Sequence, residues 1–139
     1  KISVVHTVAW QEDHFTWLRR LGEFAYHPGY PAAPAELIER VGDAEIVIGA
    51  DVCFSADVVN HCPNLTMISL WSTGYDNVDL TATRKRKIIV SNVPAYAACS
   101  VAEHTWGMAL HLAKKLSVAE RHVRSQHAAN HLRQRDVQT

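Results

Sequence analysis

A chain of 139 residues with a hydrophobic fraction of 47% can bury a core of about one domain. Its 14 basic residues balance its 14 acidic residues, so no overall charge favours nucleic acid or an acidic surface. No stretch approaches the roughly 18 apolar residues of a membrane helix, and the apolar start is too short for a signal peptide. The three cysteines lack a Cys-x-x-Cys spacing, which predicts reduced thiols in a cytoplasmic protein.

Apolar runs and helical patterns alternate along the first two thirds of the chain. The apolar runs predict five strands, at residues 2–5, 23–26, 45–49, 66–70 and 88–90. Amphipathic stretches, with Ser55 and Asp79 as N-caps, predict helices at residues 11–21, 34–41, 55–62 and 79–87. This alternation is typical of an α/β fold with a parallel sheet covered on both faces. We expect the strand order 2-1-3-4-5 of a flavodoxin-like, three-layer sandwich.

A long helix is predicted after the sheet. Ser100 and Glu103 have the spacing of a capping box, so the helix is expected to begin there. No proline or glycine follows Gly107, so the helix is expected to continue into the polar tail. The predicted organisation is a sheet domain at residues 1–99 and an interdomain or dimerisation helix with a tail at residues 100–139.

Two loops are predicted to meet at one edge of the sheet. The turn Ser72-Thr73-Gly74 follows the fourth strand, and its free backbone N–H groups could hold an anion such as a carboxylate. We interpret Gly74 as a residue whose missing Cβ permits a sharp turn and a close ligand. The loop from Gly49 to Cys53 follows the third strand and should lie beside this turn. The alternative for both loops is a plain connection, with Asp51 facing water.

The stretch from Asn64 to Leu116 resembles the substrate-binding domain of the D-isomer-specific 2-hydroxyacid dehydrogenases. The motifs that carry the resemblance are Ser72-Thr73-Gly74-Tyr75-Asp76-Asn77-Val78-Asp79, Asn92-Val93-Pro94-Ala95-Tyr96 and Ser100-Val101-Ala102-Glu103-His104. The resemblance implies that the N–H groups of Thr73 and Gly74 bind the substrate carboxylate. It also implies that Gly49 and Ala50 line the substrate's side-chain pocket, and that Ala97 lies near the nicotinamide.

The same resemblance implies parts that this sequence lacks. In the family, NAD or NADP binds a separate Rossmann domain that begins with Gly-x-Gly-x-x-Gly, and the catalytic arginine, acid and histidine lie in or after it. None of the six glycines here has a glycine two residues away. We therefore expect no cofactor in this chain and assign no catalytic residue. The family also often has a glycine before the fifth strand, where Arg84-Lys85-Arg86-Lys87 stands here and is interpreted as a solvated face.

The expected partners are a small 2-hydroxy or 2-oxo acid and a second copy of the chain, bound through the helix opened by Ser100. A non-catalytic, self-associating module is the alternative function. A phospho-receiver and a flavin carrier are disfavoured, because the residues after the first strand lack paired acids and a phosphate loop. His127 and His131 are spaced for a metal on one helix face, yet no third ligand stands at a motif spacing, so no metal site is predicted.

Overall fold

The computed structural model describes the backbone of residues 1–136 and the side chains of residues 1–126. The chain divides into a first compact unit, Lys1–Ala95, and a second that begins at Tyr96. The division into a sheet domain at residues 1–99 and a helix with a tail at residues 100–139 stays a prediction. Each helix among the described residues is too short or too polar to cross a membrane.

The first unit is built on a five-stranded parallel sheet, which confirms the predicted fold. The strands are ordered β2-β1-β3-β4-β5. Their bounds are β1 Ile2–Val4, β2 Phe24–Tyr26, β3 Ile46–Gly49, β4 Met67–Leu70 and β5 Ile89–Ser91. The connecting helices are α1 Glu12–Leu21, α2 Pro34–Val41, α3 Ala56–His61 and α4 Leu80–Lys85.

Capping residues place the helix ends close to where the sequence predicts them. The Ser55 hydroxyl accepts the Val58 N–H at 3.4 Å, and Asp79 Oδ1 accepts the Ala82 N–H at 2.8 Å. Helix α4 ends two residues before its predicted end, because Lys87 adopts a left-handed φ of 59°. That conformation favours glycine, the residue that the resembling family often has in this region.

The two faces of the sheet are covered unequally within the first unit. One face packs against α2, α3 and α4, and its core includes Val47, Phe54 and Ile68. The other face receives α1, whose Phe15 ring lies 5.9 Å from Phe24. Ile89 on the same face is 63% exposed, so the expectation of full cover on both faces holds for one face and only partly for the other.

The second unit differs from the predicted continuous helix. Helix α5 spans Ala98–Ala113 and α6 spans Leu116–Asp136. The chain breaks between them because Lys115 has a left-handed φ of 52°. The predicted capping box is also wrong, since α5 begins at Ala98, directly after a turn, and Ser100 therefore lies inside the helix.

A carboxylate braces the loop between β2 and α2. Glu36 accepts the Ala32 N–H at 2.7 Å and Arg40 Nη2 at 2.6 Å, while Arg40 Nη1 donates to the carbonyls of Val5 and Gly29 at 2.8 and 2.6 Å. The Ala32 N–H, and then Arg40, lower the pKa of Glu36. The ionised form is therefore the one that the fold stabilises.

We expect Glu36→Gln to make the free energy of unfolding fall less steeply as the pH is lowered. A lowered folded pKa stabilises the chain above the unfolded pKa, and this contribution is lost as pH falls below about 4.3, the ordinary value for glutamate. Urea unfolding midpoints measured across this range should fall less steeply in the variant than in the wild type. Glu39→Gln, at an exposed carboxylate of the same helix, is the control and should keep the wild-type slope. Identical slopes for Glu36→Gln and the wild type would contradict the prediction.

Candidate functional site

The loops after β3 and β4 line an open cavity at the carboxyl edge of the sheet. Its volume is about 370 Å³. The lining residues come from both loops, and they are Ala50, Asp51, Val52, Cys53, Ser72, Gly74, Asp76 and Asn77. Parallel strands bring their carboxyl ends to one edge, so two loops that lie far apart in sequence meet here, as the sequence predicts.

Hydrogen bonds to its backbone carbonyl groups hold the turn Ser72-Thr73-Gly74 in place. Asn92 donates to the Thr73 carbonyl at 2.8 Å, and the Val93 N–H donates to the Ser72 carbonyl at 3.0 Å. Among the described residues, neither the Thr73 N–H nor the Gly74 N–H donates a hydrogen bond within the protein, and both residues are exposed. The turn thus offers two adjacent, unused donors to solvent.

Gly74 is not required by the backbone. Its φ lies outside the left-handed region, and a Cβ built at this position would meet only Asp76 Oδ2, at the ordinary contact distance of 3.7 Å. The interpretation of Gly74 as a residue needed for a sharp turn is therefore wrong.

Gly49 and Ala50 are both buried, and of the two only Ala50 lines the cavity. A Cβ at Gly49 would meet Val52 Cγ2 at 3.1 Å and Val5 Cγ2 at 3.2 Å, so close packing explains this glycine. The Ala50 N–H donates to His6 Nε2 at 2.8 Å, and its carbonyl accepts from Asn77 Nδ2. Ala50 lines the cavity, but its backbone groups already have partners.

Asn77 joins the two loops, a role that the sequence reasoning missed. Its Nδ2 donates to the carbonyls of Ala50 and Val52. The backbone of Asn77 accepts the Phe54 N–H at 2.8 Å, next to a parallel bridge between Phe54 and Val78. The signal available was its place in the motif Tyr75-Asp76-Asn77-Val78-Asp79. A side chain that clamps both loops fixes the shape of the cavity.

The charged residues that line the cavity are Asp51 and Asp76. No lysine or arginine is among the lining residues, which all belong to the described part of the chain. Cys53 also lies there and is an exposed, free thiol. An anion in this cavity would therefore rely on the backbone N–H groups for its hydrogen bonds.

Comparison with known proteins identifies the fold and the family. The family model for the catalytic domain of D-isomer specific 2-hydroxyacid dehydrogenases matches residues 2–136. The chain belongs to this family. The match extends through the polar tail, beyond Leu116, where the resemblance in the sequence ends. Membership also decides against a phospho-receiver and a flavin carrier.

Individual members of the dehydrogenase family match most of the chain. A D-3-phosphoglycerate dehydrogenase of Methanocaldococcus jannaschii is 30% identical over 85% of this chain and 22% of its own length. A glyoxylate reductase of Thermococcus gammatolerans is 30% identical over 90% of this chain and 38% of its own length. A solved D-lactate dehydrogenase of Aquifex aeolicus, complexed with NAD and lactic acid, is 28% identical with a TM-score of 0.70, over 90% of this chain and 37% of that one.

The chain spans between 16% and 38% of the length of the curated dehydrogenases that it matches. No Gly-x-Gly-x-x-Gly turn precedes a helix among the described residues. Ala97, the predicted cofactor contact, is the N-cap of α5 in the second unit, whereas the other four predicted site residues lie in the first. Its methyl side chain offers a cofactor no hydrogen bond.

The dehydrogenase chain shows no cluster of three or more metal-ligating side chains within its described residues. The pair His127 and His131 lies beyond the side chains that the structure describes. The candidate site consists of backbone donors, two carboxylates and a clamping amide.

Proposed function

We propose that this chain is the part of an NAD(P)-dependent D-2-hydroxyacid dehydrogenase that binds the carboxylate of a small 2-hydroxy or 2-oxo acid. The observation that carries the proposal is the pair of unused N–H groups at Thr73 and Gly74, exposed beside the cavity. The solved relative from Aquifex aeolicus, whose complex contains NAD and lactic acid, supports the substrate class.

Two successive N–H groups match the chemistry of a carboxylate. Each of its oxygens accepts hydrogen bonds, and bonds from N–H to an ionised acceptor are stronger than bonds between neutral groups. The Asn92 and Val93 contacts hold the turn before a ligand arrives, which lowers the entropic cost of binding. The negative charges of Asp51 and Asp76 repel a bound carboxylate, so we expect weak binding by the isolated chain.

Reduction of a 2-oxo acid needs a hydride donor, a proton donor and a cation that polarises the carbonyl. The cavity supplies none of the three in a recognisable arrangement, since its polar side chains are two aspartates, a serine, a cysteine and an asparagine. NAD(P) would supply the hydride in the whole enzyme. We therefore propose that the described residues bind and orient the acid and that the remaining length found in relatives performs the redox chemistry.

We expect pyruvate to shift the amide resonances of Thr73 and Gly74 in a ¹H–¹⁵N titration of the chain. A carboxylate bound to these N–H groups deshields their protons, whereas amides of α2 on the same unit should not respond. Methyl pyruvate keeps the carbonyl and the size but loses the charge, so it should leave both resonances in place. Equal shifts with the acid and its ester would contradict carboxylate recognition.

The variants Gly74→Pro and Gly74→Ala distinguish loss of the backbone N–H from replacement of the glycine. Proline at position 74 removes one of the two N–H donors and should weaken pyruvate binding, measured at the Thr73 amide. Alanine keeps the N–H, and its Cβ meets only an ordinary contact, so it should fold and still respond. Far-UV circular dichroism checks that both variants fold. A folded proline variant that binds pyruvate as tightly as the wild type would overturn the proposal.

A second candidate function, self-association, is favoured by helix α5. Every residue of α5 is exposed in the single chain, with Trp106 at 70% and Leu112 at 76%. Exposed apolar surface of this kind marks interaction sites in soluble proteins. We propose that a second copy of the chain covers α5.

We expect the wild-type chain to sediment as a dimer or larger at high micromolar concentration. Leu110→Lys places a charge on the apolar surface of α5 and should shift the chain to monomer. Leu21→Lys, at an exposed leucine of α1 in the other unit, is the matched control and should leave the association unchanged. A wild-type chain that stays monomeric at this concentration would rule out the interface.

A further inference from the structure

His6 lies fully buried just after β1, and both of its ring nitrogens are engaged. Nδ1 is 2.8 Å from the Thr7 carbonyl oxygen. Nε2 is 2.8 Å from the Ala50 backbone nitrogen and 3.4 Å from the indole nitrogen of Trp71. A carbonyl can only accept, and a backbone N–H and an indole N–H can only donate. The geometry therefore requires a neutral ring that carries its proton on Nδ1.

The ring also lies next to two aromatic side chains. Tyr30 stacks on it at a centroid distance of 4.8 Å and an interplanar angle of 16°, and Trp71 lies at 5.9 Å and 25°. Tyr30 belongs to the loop after β2, Ala50 to the loop after β3, and Trp71 to the loop after β4. One side chain after β1 thus contacts all three loops.

Trp71 connects this arrangement to the proposed carboxylate turn. It directly precedes Ser72-Thr73-Gly74, and its backbone N–H donates to the Gly49 carbonyl at 3.2 Å. Ala50 faces the cavity from the other side. A displacement at His6 would reach the cavity by both routes.

We propose that His6 is a positioning residue that sets the cavity by accepting the Ala50 and Trp71 N–H groups at Nε2. This inference rests on the proposed function for its consequence in binding, and on the contacts of His6 for its structural part. An apolar residue at position 6 would leave a buried N–H at Ala50 without an acceptor, which proteins avoid. The acceptor nitrogen, and not merely the ring's bulk, is the element that holds the loops.

The tautomer is tested first, in the chain without ligand. Long-range ¹H–¹⁵N correlation of the imidazole ring should show a protonated Nδ1 and a bare Nε2 at neutral pH. A merely space-filling ring has no reason to hold this tautomer. A protonated Nε2 at neutral pH would overturn the inference.

The variants His6→Gln and His6→Asn then separate the acceptor from the ring. The glutamine carbonyl reaches the position of Nε2, whereas the shorter asparagine reaches only that of Nδ1. Both lose the aromatic stacking, so stacking is controlled. Hydrogen exchange at the Ala50 amide should be about tenfold faster in the asparagine variant than in the glutamine variant, the size of one hydrogen bond. Equal exchange in the two variants would overturn the inference whatever pyruvate does.

Pyruvate titration of the same variants tests the link to binding. The asparagine variant should bind about fivefold more weakly than the glutamine variant, a fraction of the free energy of one hydrogen bond. If pyruvate does not shift the Thr73 and Gly74 amide resonances of the wild-type chain, the proposed function is overturned. The tautomer and the exchange rates then decide the role of His6. Equal affinities in the two variants, with a responding wild type, overturn the positioning role instead.

Discussion

Replacing Ile68 by alanine is expected to lower the free energy of unfolding of this chain by about 2–5 kcal/mol. Ile68 is 0% exposed in the inner strand β4 and belongs to the core cluster with Val47 and Phe54. Removing its outer carbons loses their burial and leaves a cavity that the surrounding strands and helices can fill only partly. Urea denaturation followed by far-UV circular dichroism measures the loss.

Ile89→Ala is the matched control for this prediction. It removes the same atoms from the neighbouring strand β5, but Ile89 is 63% exposed and faces the less covered side of the sheet. The expected loss is below about 1 kcal/mol, as for other surface substitutions. Equal losses in the two variants would mean that the two faces are equally buried in solution, contrary to the structure.

Replacing Arg86 by methionine is expected to cost about 2–4 kcal/mol, because hydrogen bonds from charged groups are among the strongest that side chains make. The guanidinium donates to the carbonyls of Val59, Cys62 and Pro63 at the end of α3. These carbonyls have no further turn of helix to bond to, and the cation also opposes the negative end of the helix dipole. The midpoint and slope of urea unfolding measure the effect.

Arg84→Met changes the same charge two residues earlier in α4. Arg84 is exposed, so its replacement should change the free energy of unfolding by at most about 0.5 kcal/mol. If both variants lose the same stability, net charge rather than the cap of α3 explains the effect. Arg86 is half-buried and hydrogen-bonded. The interpretation of all four cations from Arg84 to Lys87 as a solvated face is therefore wrong for Arg86.

The sheet could be predicted because its signals are local and repeated. Each apolar run is bounded by turn residues, and Ser55, Asp79 and Gly42 mark helix ends by their own chemistry. The strand order then follows from the alternation of strands with helices and from the handedness of crossovers. These features do not depend on any particular distant side chain.

The second unit was harder to predict because its break carries no sequence signal. Lys115 ends α5 in a left-handed conformation that glycine or asparagine usually marks. The spacing of Ser100 and Glu103 also occurs inside helices, so a capping box by itself does not locate a helix start. Here Ala97 takes the N-cap position without a side-chain bond.

The position of the cavity could be predicted from the sequence, but the side-chain contacts that shape it could not. Turns after adjacent parallel strands must meet, and Gly74 and Ala50 do line one cavity at this edge. The binding roles of Thr73, Gly74 and Ala50 stay predictions. The contacts that shape this edge join distant positions: Asn77 bonds Ala50 across 27 residues, and His6 bonds it across 44. No local pattern encodes such pairs. They follow from the fold, and so only the structure could reveal them.

Position 49 has a consequence for protein engineering. Any side chain introduced there would press against Val5 and Val52, two residues of the packed interior. A larger residue at this position therefore requires Val5 and Val52 to shift by a few tenths of an ångström. Libraries aimed at new specificities should vary Asp51 and Cys53, whose side chains reach solvent and can change size or charge without disturbing the packing beneath.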